Sequence, residues 1–141
     1  KTKRSNVDGV TLTPLRRINS QKGSVLHAMK KSDSGFDGFG EAYFSAISKD
    51  SIKGWKKHTK MTLNIIVPIG IIKFVVFNES KGKFFSVTLS QENYQRITIK
   101  PGLSLAFKGV GESNMLLNLA NIEHDPEEGV NIDLNEIAYE W

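Results

Sequence analysis

The sequence predicts an all-β fold, a sandwich or jelly roll with few short helical turns. Three observations predict it. Period-two alternation of β-branched and aromatic residues recurs along most of the chain, and turn chemistry separates the alternating stretches. No segment longer than about ten residues carries an apolar face at the helical period.

The first strand this pattern marks clearly is "FGEAYFSAI", with Phe39, Glu41, Tyr43 and Ser45 on one face and Ala42, Phe44 and Ala46 on the other. "MTLNIIV" and "IIKFVVF" flank a turn at Pro68 to Gly70 and are apolar on both faces, as expected of strands in the middle of a packed sandwich. "KFFSVTLS" sends Phe85, Val87 and Leu89 one way, and "YQRITIK" sends Ile97 and Ile99 inward against Arg96, Thr98 and Lys100. Pro101 and Gly102 then break pairing. "LSLAF" and "NMLLNLANI" follow, joined by the tight turn "KGVGES". Helix is expected only as short pieces, near Gln91 to Tyr94, where "LSQEN" reads as a turn or a single helical turn, and near Asp133 to Ile137. One domain spanning residues 1–141 is expected, with 1–9 as a frayed end or N-terminal arm.

Composition narrows the function classes. At 141 residues the chain is long enough to bury a core without disulfide or metal staples. It has no cysteine, which excludes a disulfide framework, a thiolate zinc site and a cysteine nucleophile together. The net charge of +4 is mild and its basic residues are spread among 15 acidic ones, so nucleic acid is not an expected partner. The apolar run Ile65 to Phe77 is interrupted by Pro68, Gly70 and Lys73 and is too short to span a bilayer. No membrane partner and a cytoplasmic location are the expectations. A Ser-nucleophile elbow, a phosphate loop and a dinucleotide fingerprint are all lacking.

The basic stretch "SIKGWKKHTKMTLN" is where chemistry gathers. If "IKGWKKH" is extended, Lys56 and His58 share a face and Trp55 and Lys57 take the other. A Lys and a His two residues apart on a concave sheet face suit an anionic substrate and a proton exchange with it. The same pattern also describes a solvated, basic edge strand that discourages aggregation. His124 opens "HDPEEG" among Asp125, Glu127 and Glu128, a candidate general acid or an ordinary exposed turn. Those adjacent carboxylates are not spaced to converge on one ion, so no metal site is expected. His27, in "VLHAMKK", reads as structural.

In order and spacing these stretches resemble the cupins of the dTDP-4-dehydrorhamnose 3,5-epimerase family and its sugar-epimerase-like relatives. The resemblance runs through Phe39, Glu41, Tyr43 and Ser45, then Lys53, Gly54, Trp55 and Lys56, then Gly70, "LSQENYQRITIKPG", and "HDPEEGVNIDLNEIAYEW" with Trp141. It implies a metal-free cupin jelly roll without cofactor, a homodimer, and a nucleotide-linked 4-keto-6-deoxyhexose as substrate in surface-polysaccharide synthesis. In that family a His abstracts the proton beside the ketone, a Lys steadies the enolate oxygen and a Tyr returns a proton. Here Lys56 stands at the His position, and His58 lies one alternation further on. The Lys position falls near Leu63 or Asn64, the Tyr position at His124, and the Asp that orients the His near Leu134, with Asp133 beside it. The resemblance thus implies an epimerase or isomerase with His58 as base, His124 as acid and Lys56 on the keto oxygen or phosphate. Glu41, Tyr43, Lys53, Asn64, Lys73, Asn118 and Asp133 are the expected substrate-binding residues. The alternative is a catalytically degenerate cupin that binds a nucleotide sugar or a partner without turnover.

Overall fold

The computed structural model describes residues 1–141 and contains thirteen strands and one short 3₁₀ turn. In chain order the strands are β1 (Lys3–Arg4), β2 (Val10–Pro14), β3 (Arg17–Ser20), β4 (Gly23–Leu26), β5 (Glu41–Ser48), β6 (Ile52–His58) and β7 (Leu63–Ile69). They continue as β8 (Ile72–Asn78), β9 (Lys83–Leu89), β10 (Gln95–Ile99), β11 (Ser104–Gly109), β12 (Ser113–Ala120) and β13 (Gly129–Asn131). The 3₁₀ turn covers Leu134–Glu136, within the span expected for it, and Gln91 to Tyr94 forms a turn, one of the two forms expected there.

Two antiparallel sheets face each other as a jelly roll. One has the order β1-β2-β10-β7-β12-β5 and the other β13-β6-β11-β8-β9. Period-two alternation explains the core between them. On β8, Ile72, Phe74 and Val76 point inward, and on β10, Ile97 and Ile99 meet them from the other sheet; all five are at most 1% exposed. Each such side chain contributes roughly 1.5–3 kcal/mol on burial. No helix is long and apolar enough to cross a membrane.

The outer faces of both sheets are partly covered, which separates residues that alternation alone would leave exposed. On β10, Arg96 and Thr98 were expected to face solvent, but they are 0% and 2% exposed beneath the segment running from His27 to Asp37. Asn64 supplies the reason: its Oδ1 accepts from Arg96 Nε at 3.1 Å and Thr98 Oγ1 at 2.6 Å, and its Nδ2 donates to Gly35 O at 2.9 Å. Arg96 Nη1 reaches Asp33 at 3.2 Å and Ala28 O at 2.8 Å, which pairs the buried cation, while its Nη2 is buried without a hydrogen-bond partner. The outer face of the second sheet carries Trp55, Val75, Ala106, Phe77 and Phe84, covered by Ile132, Ile137, Tyr139 and Trp141. In residues 1–9, expected as a frayed end or an N-terminal arm, β1 pairs with β2, Asn6 donates to Phe84 O at 3.0 Å and Val7 is buried.

Candidate functional site

Between the sheets lies a cavity of about 520 Å³, within the size range of small-molecule sites. Leu63, Ile65, Leu105, Phe107 and Leu116 give it an apolar floor. Its polar groups are divided by sheet. Lys53, Lys56, His58, Asn131 and Asp133 come from β6, β13 and the residues after β13, whereas Tyr43, Ser45 and Asn118 come from β5 and β12 opposite.

Strand register explains why two lysines three residues apart share this wall. On β11, Leu105 lies opposite Lys56 and Phe107 opposite Lys53, so β6 carries one extra residue across the step. Directly paired residues of an antiparallel ladder point to the same side. Leu105 and Phe107 point into the core, and Lys53 and Lys56 therefore point into the cavity with them. His58 follows Lys56 on the same face, as alternation predicts. Trp55 is turned to the outer cluster, its edge also meeting the cavity.

His58 is held by a carboxylate that sequence reasoning placed in an exposed turn. Its Nδ1 lies 2.8 Å from Glu128 Oε1, and Glu128 is 3% exposed. The second carboxylate oxygen of Glu128 accepts the backbone N–H groups of Lys60 at 2.9 Å and Met61 at 2.8 Å. Burial alone would raise the Glu128 pKa, but the hydrogen bond from His58, the two amides and the charge of the imidazolium outweigh it and hold the value at about 2. An ionised carboxylate only accepts, so in the neutral ring Nδ1 carries the hydrogen and Nε2 the lone pair. That is the tautomer of a general base oriented by a carboxylate.

Lys56 approaches the same place. A Cβ built on Gly129 would sit 2.8 Å from Lys56 Cε, 3.6 Å from its Nζ and 3.8 Å from His58 Nδ1. Gly129 thus leaves the room in which the lysine stem crosses β13 beside the imidazole. Neither Lys53 nor Lys56 has a carboxylate within ion-pair distance. On the opposite wall the Tyr43 hydroxyl accepts from Asn118 Nδ2 at 3.0 Å, and Asn118 Oδ1 accepts the Asn64 N–H at 3.2 Å. The phenolic hydrogen is left free to donate.

The cavity therefore brings together Lys56, His58, Tyr43, Lys53, Asn118 and Asp133 of the residues expected at a site. The other four do not line it. Asn64 points to the opposite face of β7, where it holds Arg96, and only its backbone N–H supports Asn118. Lys73 alternates outward on β8, with its ammonium 5.2 Å from the Tyr139 ring centroid. Glu41 begins β5 opposite Ala120, at the end of the strand beyond Tyr43. His124 is exposed in the turn before β13, and the carboxylate three residues past its neighbour Asp125, Glu128, is the one that reaches a histidine. The resemblance put the Asp that orients the His near Leu134, beside Asp133; the carboxylate that meets His58 is Glu128. Its one sequence signal is that "GVN" after it resumes alternation, which carries the chain back to the sheet. No three His, Asp or Glu side chains are grouped as metal ligands would be.

No protein-family model and no curated protein matches the chain. Solved structures do. A dTDP sugar isomerase from Desulfovibrio desulfuricans G20 is 30% identical, with 96% of this chain and 92% of that one covered and a TM-score of 0.91. The fold is shared at 17% identity with dTDP-6-deoxy-D-glucose-3,5-epimerase RmlC from Legionella pneumophila Philadelphia 1, solved with dTDP-4-keto-L-rhamnose, over 100% of this chain and 82% of that one (TM-score 0.86). It is shared at 21% identity with a variant of the 3,4-ketoisomerase QdtA from Thermoanaerobacterium thermosaccharolyticum, solved with TDP-4-keto-6-deoxyglucose, over 88% of both chains (TM-score 0.76). The jelly roll, the cavity between its sheets and an identity of 30% sustained over nearly the full length of both chains lead to one assignment: this chain belongs to the dTDP-4-dehydrorhamnose 3,5-epimerase-like family of cupins, which includes the dTDP-sugar isomerases.

Proposed function

We propose that the protein is a metal-free isomerase or epimerase of a nucleotide-linked 4-keto-6-deoxyhexose. The observation that carries this reading is the His58–Glu128 pair, a fixed base at the edge of a cavity whose other wall presents a phenol. A proton next to a ketone is acidic only when the enolate oxygen is stabilised as it forms. His58 Nε2 removes that proton, and the Lys56 ammonium, crossing Gly129 beside the imidazole, meets the charge that develops on oxygen. Tyr43, on the facing sheet, returns a proton from the other side of the sugar ring. It takes the acid role expected of His124, which is exposed outside the cavity. Lys53, with no carboxylate partner, and Asp133 are suited to the diphosphate and the hydroxyls of the ligand. The neighbours solved with dTDP-linked keto sugars support this substrate class. Surface-polysaccharide synthesis in the cytoplasm, by a homodimer, completes the reading.

Incubation with dTDP-4-keto-6-deoxyglucose in deuterium oxide tests it. Deuterium should enter the sugar beside the ketone, and His58→Ala should lower the rate by at least about 100-fold. Tyr43→Phe should keep exchange while suppressing the rearranged product. Calorimetric binding without exchange would identify the protein as a binding module of the same fold, and neither binding nor exchange with nucleotide sugars would overturn the reading.

A further inference from the structure

Trp55 lies on β6 between the two cavity lysines and is 1% exposed. It makes three bonds to one neighbouring segment. Its backbone N–H donates to Ile132 O and its carbonyl accepts from Ile132 N, both at 2.9 Å, and its indole Nε1 donates to Leu134 O at 3.3 Å. Asn131 to Leu134 are also a wall of the cavity. That wall has little support of its own. The 3₁₀ turn that follows has no side-chain N-cap bond and buries none of its residues.

What lies behind Trp55 is an aromatic clasp. The Trp141 ring is 6.1 Å from that of Trp55, Tyr139 is 5.1 Å from both Trp141 and Phe84, and Phe84 stacks on Phe77 at 4.4 Å. The Lys73 ammonium sits over Tyr139 at 5.2 Å and Trp141 at 5.7 Å, a cation–π contact on the side remote from the cavity. Ile132 and Ile137 pack into the same cluster. A segment with few backbone bonds opens locally at a small fraction of the global unfolding free energy unless side chains hold it. Here those side chains are Trp55 and the clasp.

We infer that Trp55 is a positioning residue through which the Tyr139–Trp141 clasp sets the cavity wall Asn131–Leu134, so that the clasp controls ligand affinity without touching the ligand. For the identity of the ligand this rests on the nucleotide-sugar reading. The clasp's hold on the wall does not.

Two measurements on Trp141→Ala and Trp141→Phe test it: hydrogen exchange of the peptide spanning residues 131–138 without ligand, and calorimetric titration with dTDP. Losing the ring contacts to Trp55 and Tyr139 should speed exchange in the alanine variant at least about tenfold and weaken dTDP binding by about the same factor. Exchange in the β7 and β10 peptides should stay unchanged, and phenylalanine should restore most of both losses. Exchange that rises equally throughout the core would overturn the inference by making Trp141 a general stability residue. Faster exchange at the wall with unaltered dTDP affinity would overturn the control of affinity. If the wild type binds no dTDP-linked molecule, the nucleotide-sugar reading falls, and the exchange comparison still decides whether the clasp holds the wall.

Discussion

A carboxylate as deeply buried as Glu128 loses hydration, and that loss favours its neutral form. His58 and the amides of Lys60 and Met61 reverse the balance, so the charge survives in the fold and its pKa falls from 4.5 to about 2. The lowered value fixes the sign of a stability effect. The unfolded chain binds a proton more readily than the native one, so Glu128 stabilises the fold fully above about pH 4.5, and this is lost as pH falls toward about 2. Glu128→Gln should therefore cost roughly 1.5–3 kcal/mol at pH 7, the range for hydrogen bonds to charged groups. Urea midpoints of the two proteins should converge on acidification toward pH 3; a gap that stays constant with pH would show that the charge is not what stabilises. The same variant should slow deuterium exchange into the sugar by about two orders of magnitude, because an amide no longer dictates which imidazole nitrogen carries the hydrogen.

At the scale of elements, β6 decides what the cavity contains. Strict alternation puts Lys53 with Trp55 and Lys57, away from Lys56 and His58. The extra residue opposite Ala106 breaks that parity and returns Lys53 to the cavity side. Gly54 is the residue that lets the strand do so. A Cβ there would fall 2.3 Å from Ala106 Cβ and 2.8 Å from its Cα, inside the neighbouring strand. Gly54→Ala should push β6 from β11, destabilise the fold by about 1–3 kcal/mol as overpacking does, and lower ligand affinity with it. Thermal melting and calorimetry read the two effects, and an unchanged melt would show that the ladder has slack. The legibility of the sequence follows the same line. The strands around Ile65 and Phe74 were readable because a short apolar run on both faces marks a strand inside a sandwich, and those around Tyr43, Phe85 and Ile97 because each announces its faces within a few residues. The shared face of Lys56 and His58 was readable for the same reason. Glu128 was not, because its partner lies 70 residues away and local pattern made "HDPEEG" a solvated turn. Asn64, which the resemblance drew into the expected site, and Lys73 are both turned away from the cavity by alternation on β7 and β8.

At the scale of the molecule, the β5 end of one sheet's outer face has nothing over it. The outward side chains of β5, Ala42, Phe44 and Ala46, are exposed, and Phe39, Phe44 and Ile69 are 64%, 64% and 51% accessible. β5 is also the last strand of its sheet, with an unpaired backbone edge. Soluble proteins seldom leave a large apolar patch beside an open edge without a partner to cover it. The β3–β4 hairpin has the same need: it belongs to neither large sheet, Val25 is 57% and Ile18 42% exposed, and an isolated two-stranded hairpin is marginal in water. The homodimer proposed above would cover the β5 face with a second copy of the chain, since a self-complementary apolar face is what two-fold symmetry requires, and would offer the hairpin a partner too. The inner face of β5 carries Tyr43 and Ser45 into the cavity, so covering the outer face also fixes the strand that bears the proposed acid. Light scattering at tens of micromolar should then give twice the chain mass for the wild type, and Phe44→Lys, which sets a charge in the middle of the patch, should give the monomer. In that monomer the hairpin peptide should exchange faster, and product formation should fall further than deuterium uptake, because Tyr43 moves while the His58–Glu128 pair on the other sheet does not. A wild type that is monomeric at these concentrations would refute the dimer.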